Sequence, residues 1–232
     1  ALALPGEARS TFSKPFTAFE PIDEYNFYYR VHFDTVAGEQ IGVKVAISTV
    51  SVDGARQNFE AELAGVEFDA ARKSAYDKWN KEISKIRIEG ATAEQEEIFY
   101  TGMYHMYVAP SLLSDVDGKY RGADNEVYDN PGFDTYTTFS LWDTYRAKLP
   151  LMTITHPEMM DDIVNTMIDI YKKQSFLPIW HLWACETGCM VGSPGIIVVA
   201  DAVAKGIEGI DTEEAWEAIY NSAMHDIRGG RH

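Results

Sequence analysis

Apolar and polar residues alternate through much of the first fifty positions and fall into a three-and-four spacing from Asp53 onward. A period of two is the mark of a half-buried strand, a period near 3.6 that of a helix. Ile41-Gly42-Val43-Lys44-Val45-Ala46-Ile47-Ser48-Thr49-Val50 alternates, and Tyr25-Asn26-Phe27-Tyr28-Tyr29-Arg30-Val31-His32-Phe33 mixes aromatic with β-branched residues. With Val36-Ala37-Gly38-Glu39 turning between them, the two runs predict a hairpin. Two or three strands cannot bury their own faces, so this hairpin is expected to join a larger sheet completed from outside the chain or from elsewhere in the assembly.

The later spacing predicts helices over 54–64 and 69–85, with Phe59, Leu63, Ala75, Trp79 and Ile83 on their apolar stripes. Thr92 followed by Gln95 is a capping box for a helix through Ile98, Phe99, Met103 and Met106 to about Val108, stopped by Pro110. Residues 111–138, rich in Asp, Gly, Asn and Tyr, exceed an ordinary connection and are expected to be functional or to hold short strands. Four helical segments follow: 139–153, one from His156-Pro157-Glu158 through Tyr171, 195–205, and one with Thr212, Ala215, Trp216 and Ile219. Helices alternating with loops suggest a helical barrel or bundle, and periodicity alone does not choose between them.

Composition narrows the partners. The 232 residues carry 36 acidic against 20 basic side chains, a formal charge of -16, so neither nucleic acid nor an anionic membrane would be attracted to the surface. No apolar run approaches the roughly 18 residues of a membrane span, and the opening Ala-Leu-Ala-Leu-Pro is too short and uncharged for a signal peptide. The absence of an initial Met, and a finish at Arg228-Gly229-Gly230-Arg231-His232 straight after a helical pattern, suggest a processed or truncated protein.

Most of the catalytic patterns fail. Asp115-Val116-Asp117-Gly118 starts like a calcium loop, but Lys119 stands where a third oxygen ligand belongs and Tyr120 where the sharp-turn glycine belongs; Asp117-Gly118 is better suited to turn a hairpin. Gly192-Ser193-Pro194-Gly195 lacks the glycine two before the serine, and Pro194 has no N–H for an oxyanion hole. Neither a Walker loop nor a dinucleotide fingerprint occurs. Cys185 and Cys189, four apart at what reads as a helix start, give no zinc framework and suggest a structural thiol pair.

Two clusters remain. Trp180-His181-Leu182-Trp183-Ala184-Cys185-Glu186-Thr187 sets one carboxylate among indoles just before a predicted helix. A carboxyl shielded from water loses solvation of its charged form and is suited to deliver a proton; the alternative is an ion-paired Glu186 beside core tryptophans. Trp142-Asp143, at a loop-to-helix junction, offers a stacking face beside an acceptor for vicinal hydroxyls, whereas Arg146 at helical spacing offers Asp143 an ion pair. Both can hold if Arg146 orients Asp143.

Phe139-Ser140-Leu141-Trp142-Asp143-Thr144-Tyr145-Arg146, Leu177-Pro178-Ile179-Trp180 with Trp183, Glu186-Thr187 then Cys189-Met190-Val191-Gly192, and Ser114-Asp115-Val116-Asp117-Gly118-Lys119-Tyr120-Arg121-Gly122 together resemble glycoside hydrolase family 92, the calcium-dependent exo-acting α-mannosidases. The similarity runs from about Phe16 to Arg228. It implies a multi-domain, β-then-α chain: 1–52 the last strands of an N-terminal β-sandwich, 53–90 linking helices, and 91–232 the first part of an (α/α)6 catalytic barrel, the rest of the same polypeptide completing the fold.

That resemblance makes Glu186 the general acid and gives Trp142, Asp143 and Trp183 to the terminal sugar. Retention of the Glu favours an ordinary glycoside over a mannose-phosphate diester. The family inverts stereochemistry, so a second carboxylate must activate water from the opposite face, and both that base and the Ca²⁺ ligands are expected beyond this chain. The implied function is an exo-α-mannosidase of α-1,2 type acting on mannose-containing glycans, extracytoplasmic by analogy, with this piece alone inactive. Ala184-Cys185 stands where members often have Gly-Asn, and Ser193-Pro194 follows Gly192 where a His is common, which leaves linkage preference open. A non-catalytic carbohydrate-binding fragment and another helical-barrel glycosidase are the competing readings.

Overall fold

A computed structural model describes residues 2–4, 8–15, 17–21 and 29–224, and the chain divides into two compact units, Ala1–Ser74 and Ala75–His232. Strands come first and helices dominate later, as the change of period predicts.

The first unit contains β1 (Leu2–Leu4), β2 (Ala8–Phe12), β3 (Ala18–Pro21), β4 (Tyr29–His32), β5 (Val43–Ile47) and α1 (Val52–Glu62). Among the described residues the two strand-forming runs do not pair as the expected hairpin. β4 pairs antiparallel with β3, and β5 with β2 in the order β1-β2-β5; residues 25–28 of the first run lie outside the described residues. The reason is long-range capture. The turn at Val36–Glu39 is made, with Glu39 N–H bonded to Val36 O at 3.1 Å. Beyond it, however, Ser13 N–H donates to Gly42 O (2.9 Å), Gly42 N–H donates to Ser13 Oγ (2.8 Å), and Lys14 reaches Glu39 (2.7 Å). These bonds align β5 with β2. Val43, Val45 and Ile47 on β5 stay exposed, so the alternating face that predicts burial is uncovered. α1 packs on β2 and β5, burying Ala55 and Phe59, with Asn58 Nδ2 donating to Ile47 O.

α2 (Phe68–Ile83) straddles the two units and buries no residue, while α3 (Ala93–Met106) opens on the predicted capping box: Thr92 Oγ1 accepts from Gln95 N–H and Gln95 Oε1 from Thr92 N–H. Residues 111–138 hold short strands, β6 (Ser111–Leu112), β7 (Tyr120–Arg121), β8 (Val127–Tyr128) and β9 (Tyr136–Thr137), paired β6-β9 and β7-β8. Asp117-Gly118 turns the chain just before β7 rather than joining two strands: Gly118 takes φ +83° and its N–H bonds Asp115 O. Lys119 Nζ lies 2.7 Å from Asp117, so an ammonium pairs with the carboxylate that a calcium loop would give to its ion.

The helix expected over 139–153 is broken into β10 (Phe139–Ser140), α4 (Leu141–Thr144) and α5 (Lys148–Thr155). Pro150 has no N–H to give residue 146, so it is accommodated only in the first turn of a helix that restarts near Lys148. α6 (Pro157–Gln174) begins on a proline and ends on Ser175 in the left-handed region; β11 (Trp180–Leu182), β12 (Cys185–Glu186), α7 (Pro194–Ala204) and α8 (Thr212–Met224) complete the described chain. Met160, Ile163, Val164, Met167 and Ile170 of α6 meet Leu149 and Met152 of α5, Val198 and Val199 of α7, and Ala215 and Ala218 of α8 in one core. Gly195 lets α7 approach the segment before β11, since a Cβ there would lie 2.7 Å from Pro178 O. No helix among the described residues is long and apolar enough to cross a membrane.

Candidate active site

The motif residues converge on a small antiparallel sheet, β10-β11-β12, in which Phe139 faces His181 and His181 faces Glu186, while Ser140 faces Trp180 and Leu182 faces Cys185. Directly opposed residues share a face of a sheet. Glu186 is therefore on a strand, not just before a helix, which starts only at Pro194.

Trp183 and Ala184 form the two-residue turn between β11 and β12, with φ of +48° and +61°. A hairpin this tight needs two left-handed residues, normally Asn or Gly, because only that turn matches the twist of its strands. A tryptophan and an alanine in this geometry are strained, by roughly 1–2 kcal/mol each. Trp183 N–H donates to Thr137 Oγ1 at 2.7 Å, and Thr137 is fully buried, so an internal hydroxyl holds the tip. The Trp183 side chain is 47 % exposed.

Glu186 is half-buried, and its carboxyl reaches the chain leading into β11. Ile179 N–H donates to Oε2 (2.8 Å), while Trp180 N–H (3.1 Å) and Gly188 N–H (2.9 Å) donate to Oε1. Backbone donors hold it; neither of the interpretations as an ion pair or as a carboxyl shielded by indoles alone describes this arrangement. Thr187 Oγ1 bonds Trp180 O at 2.8 Å and locks the next residue of the motif to the same strand.

Because Ser140 opposes Trp180, the exit of β10 into α4, with Trp142 and Asp143, lies at the end of the sheet toward which the Glu186 carboxyl reaches. Trp183 lies at the other end, three residues along β11 from Trp180, or about 10 Å at 3.3 Å per residue. Asp143 accepts the Ser140 hydroxyl. Arg146 does not orient it: the guanidinium lies 5.1 Å from the Trp142 ring centre and 4.7 Å from that of Tyr145, and bonds Trp142 O. The four-residue α4 ends too soon for the helical spacing to bring the charges together. Cys185 and Cys189 are exposed free thiols on β12 and the loop after it, not a packed pair at a helix start.

Sequence reasoning assigned no role to four residues in and near this sheet. Thr137 and Ser140 are small polar residues whose roles appear only through strand pairing. His181 is 1 % exposed beside Phe139, neither ring nitrogen has a hydrogen-bond partner among the described residues, and burial pushes its pKa down to about 4. Lys148, at the start of α5, is also buried, which pushes its ammonium down to about 8.

Residues 54–231 match the family model of the glycosyl hydrolase family 92 catalytic domain. The chain belongs to glycosyl hydrolase family 92. Its fold is similar to that of the family 92 α-mannosidase BT3965 of Bacteroides thetaiotaomicron, with 38 % identity, a TM-score of 0.85, and coverage of 94 % of this chain and 32 % of that one. The family 92 inverting mannosidase BT2199 of the same bacterium gives 28 % identity and a TM-score of 0.79, over 91 % of this chain and 30 % of that one. An uncharacterized secreted glycosidase of Arthroderma benhamiae is 25 % identical over 79 % of this chain and 20 % of its own length. The chain thus spans about a third of the solved family 92 relatives and a fifth of the secreted one. The resemblance implies a calcium ion, and among the described residues no group of three or more His, Cys, Asp or Glu side chains could hold a metal.

Proposed function

We propose that this chain is part of an inverting exo-α-mannosidase, of α-1,2 type, that removes terminal mannose from glycans outside the cytoplasm, with Glu186 as the general acid. The observation that carries this reading is the 38 % identity over 94 % of the chain to a family 92 α-mannosidase, a structure also solved in complex with mannoimidazole. The secreted description of the fungal relative supports the compartment. In the same reading 1–52 ends an N-terminal β-sandwich, 53–90 links, and 91–232 begins an (α/α)6 barrel.

One carboxyl oxygen is left open for the acid role. Oε1 accepts two N–H groups and Oε2 only one, so Oε2 keeps a lone pair for the proton delivered to the departing glycosidic oxygen. Trp142 and Asp143 flank that end of the sheet and hold the terminal ring, Asp143 being oriented by Ser140, and Trp183 extends the platform at the tip. Inversion requires the base to lie about 6.5–9.5 Å from the acid; that base is not assigned to a residue of this chain.

The test, made on the full-length protein, compares α-1,2-, α-1,3- and α-1,6-mannobiose with dinitrophenyl α-mannoside, with and without chelator. Glu186→Gln lowers kcat/KM on the α-1,2-linked disaccharide about 100- to 10,000-fold and far less on the activated substrate, whose leaving group needs no proton. Equal loss on both overturns the acid assignment, and binding without turnover indicates a carbohydrate-binding protein instead.

A further inference from the structure

A cavity of about 250 Å³ lies between the end of α2, the exit of α3 and the α5–α6 junction, and none of its lining residues belongs to α4 or the β10-β11-β12 sheet. Trp79, Tyr107 and Met159, all half-buried, supply apolar walls. Two of these rings are fixed in place: Trp79 packs on Tyr104 with ring centres 4.6 Å apart, and Tyr107 meets the buried His156 edge-on at 4.8 Å.

The polar side is balanced in charge. Glu82 is bonded by His156 Nε2 (3.0 Å) and Lys85 (2.9 Å), and Lys85 also faces Glu158 at 3.4 Å. Hydrogen bonds and the Lys85 charge hold Glu82 below the usual carboxylate range against the opposing effect of burial. Lys78, at the rim, has no hydrogen bond or ion pair among the described residues. Two carboxylates and two ammonium groups leave little field for either a cation or an anion. What remains is a wall that carries the Trp79 and Tyr107 rings, with an exposed acceptor, Glu158, and a donor, Lys78. That combination suits a neutral polyhydroxylated ring, which offers a C–H face to stack and hydroxyls to pair. The volume falls just under the roughly 300–1,000 Å³ of pockets for drug-sized ligands, room for one such ring.

We propose that this cavity is a second saccharide site, holding one hexose unit of a glycan apart from Glu186. The ligand class follows from the cavity; the choice of mannose rests on the proposed activity. The test is backbone-amide NMR of the full-length polypeptide titrated with methyl α-D-mannopyranoside. Amides of Trp79, Glu82, Ala109 and Met159 are expected to move, to move equally in Trp183→Ala, to lose the response in Trp79→Ala, and to need about fivefold more sugar in Glu158→Gln, an exposed position that leaves the fold intact. Movement confined to residues 179–188 overturns the second site and leaves the Glu186 reading standing. Movement in the cavity without movement at 179–188 upholds the second site, and no movement in the cavity overturns it; the Glu186 reading stands or falls on turnover by Glu186→Gln.

Discussion

The α6 core and the β10-β11-β12 sheet are built on opposite terms. α6 buries Met160, Ile163, Val164 and Met167 almost completely at regular helical spacing, starts on a proline and ends on a left-handed cap. The sheet has three strands of two or three residues, a non-glycine turn with two positive φ angles, and a buried histidine with no partner among the described residues. Local preference and tertiary contact agree in the first region and conflict in the second. Such conflicts persist where the surrounding structure over-determines the conformation, and they concentrate at functional sites. The strain lies in the hairpin that carries Glu186, whose tip is held by the buried Thr137 hydroxyl of β9.

Substitutions in the two regions break or sharpen this contrast. Ile163→Ala empties a fully buried site on α6 and should destabilise the chain by about 4 kcal/mol, measured by urea unfolding; a value below 1 would mean that the helices are not the supporting core. His181 gives the next effect. Burial lowers its folded-state pKa to about 4, below the ordinary 6.5, so between those values the unfolded chain takes up a proton that the folded chain refuses. Stability contributed by the neutral ring is complete above pH 6.5 and falls by up to about 3 kcal/mol as pH drops to 4. Melting curves of His181→Phe against the parent should lose that part of the acid slope. Thr137→Val removes the acceptor for Trp183 N–H and should cost about 1–2 kcal/mol, with faster amide exchange at Trp183 as the local signature. Smallest is Ala184→Gly: relief of the left-handed strain, offset by the greater freedom of glycine in the unfolded chain, should leave a gain of about 0.5 kcal/mol in denaturant melts. A loss there would show that Ala184 is at ease in the turn and that the two regions differ less than their geometry implies.

Family resemblance also acquires a physical meaning at that turn. Position 184, where the resemblance implies glycine, is left-handed here, a backbone requirement that glycine would meet without strain and this chain meets with alanine.

By itself, the sequence determined the change from strands to helices, the capping box at Thr92, the stretches that became α6, α7 and α8, and the cluster of residues that carries the family. Each is written in near neighbours: a period of apolar positions, a cap with its partner three residues on, a proline at a first turn. Tertiary structure alone decided that β5 pairs with β2, that Glu186 sits on a strand under backbone N–H groups, and that Arg146 lies on rings rather than on Asp143. Those outcomes depend on which distant segment meets which, as Ser13 meets Gly42 and Ser140 meets Trp180. Periodicity records which face a segment would bury; the hydrogen bonds made by unpaired strand edges choose the partner.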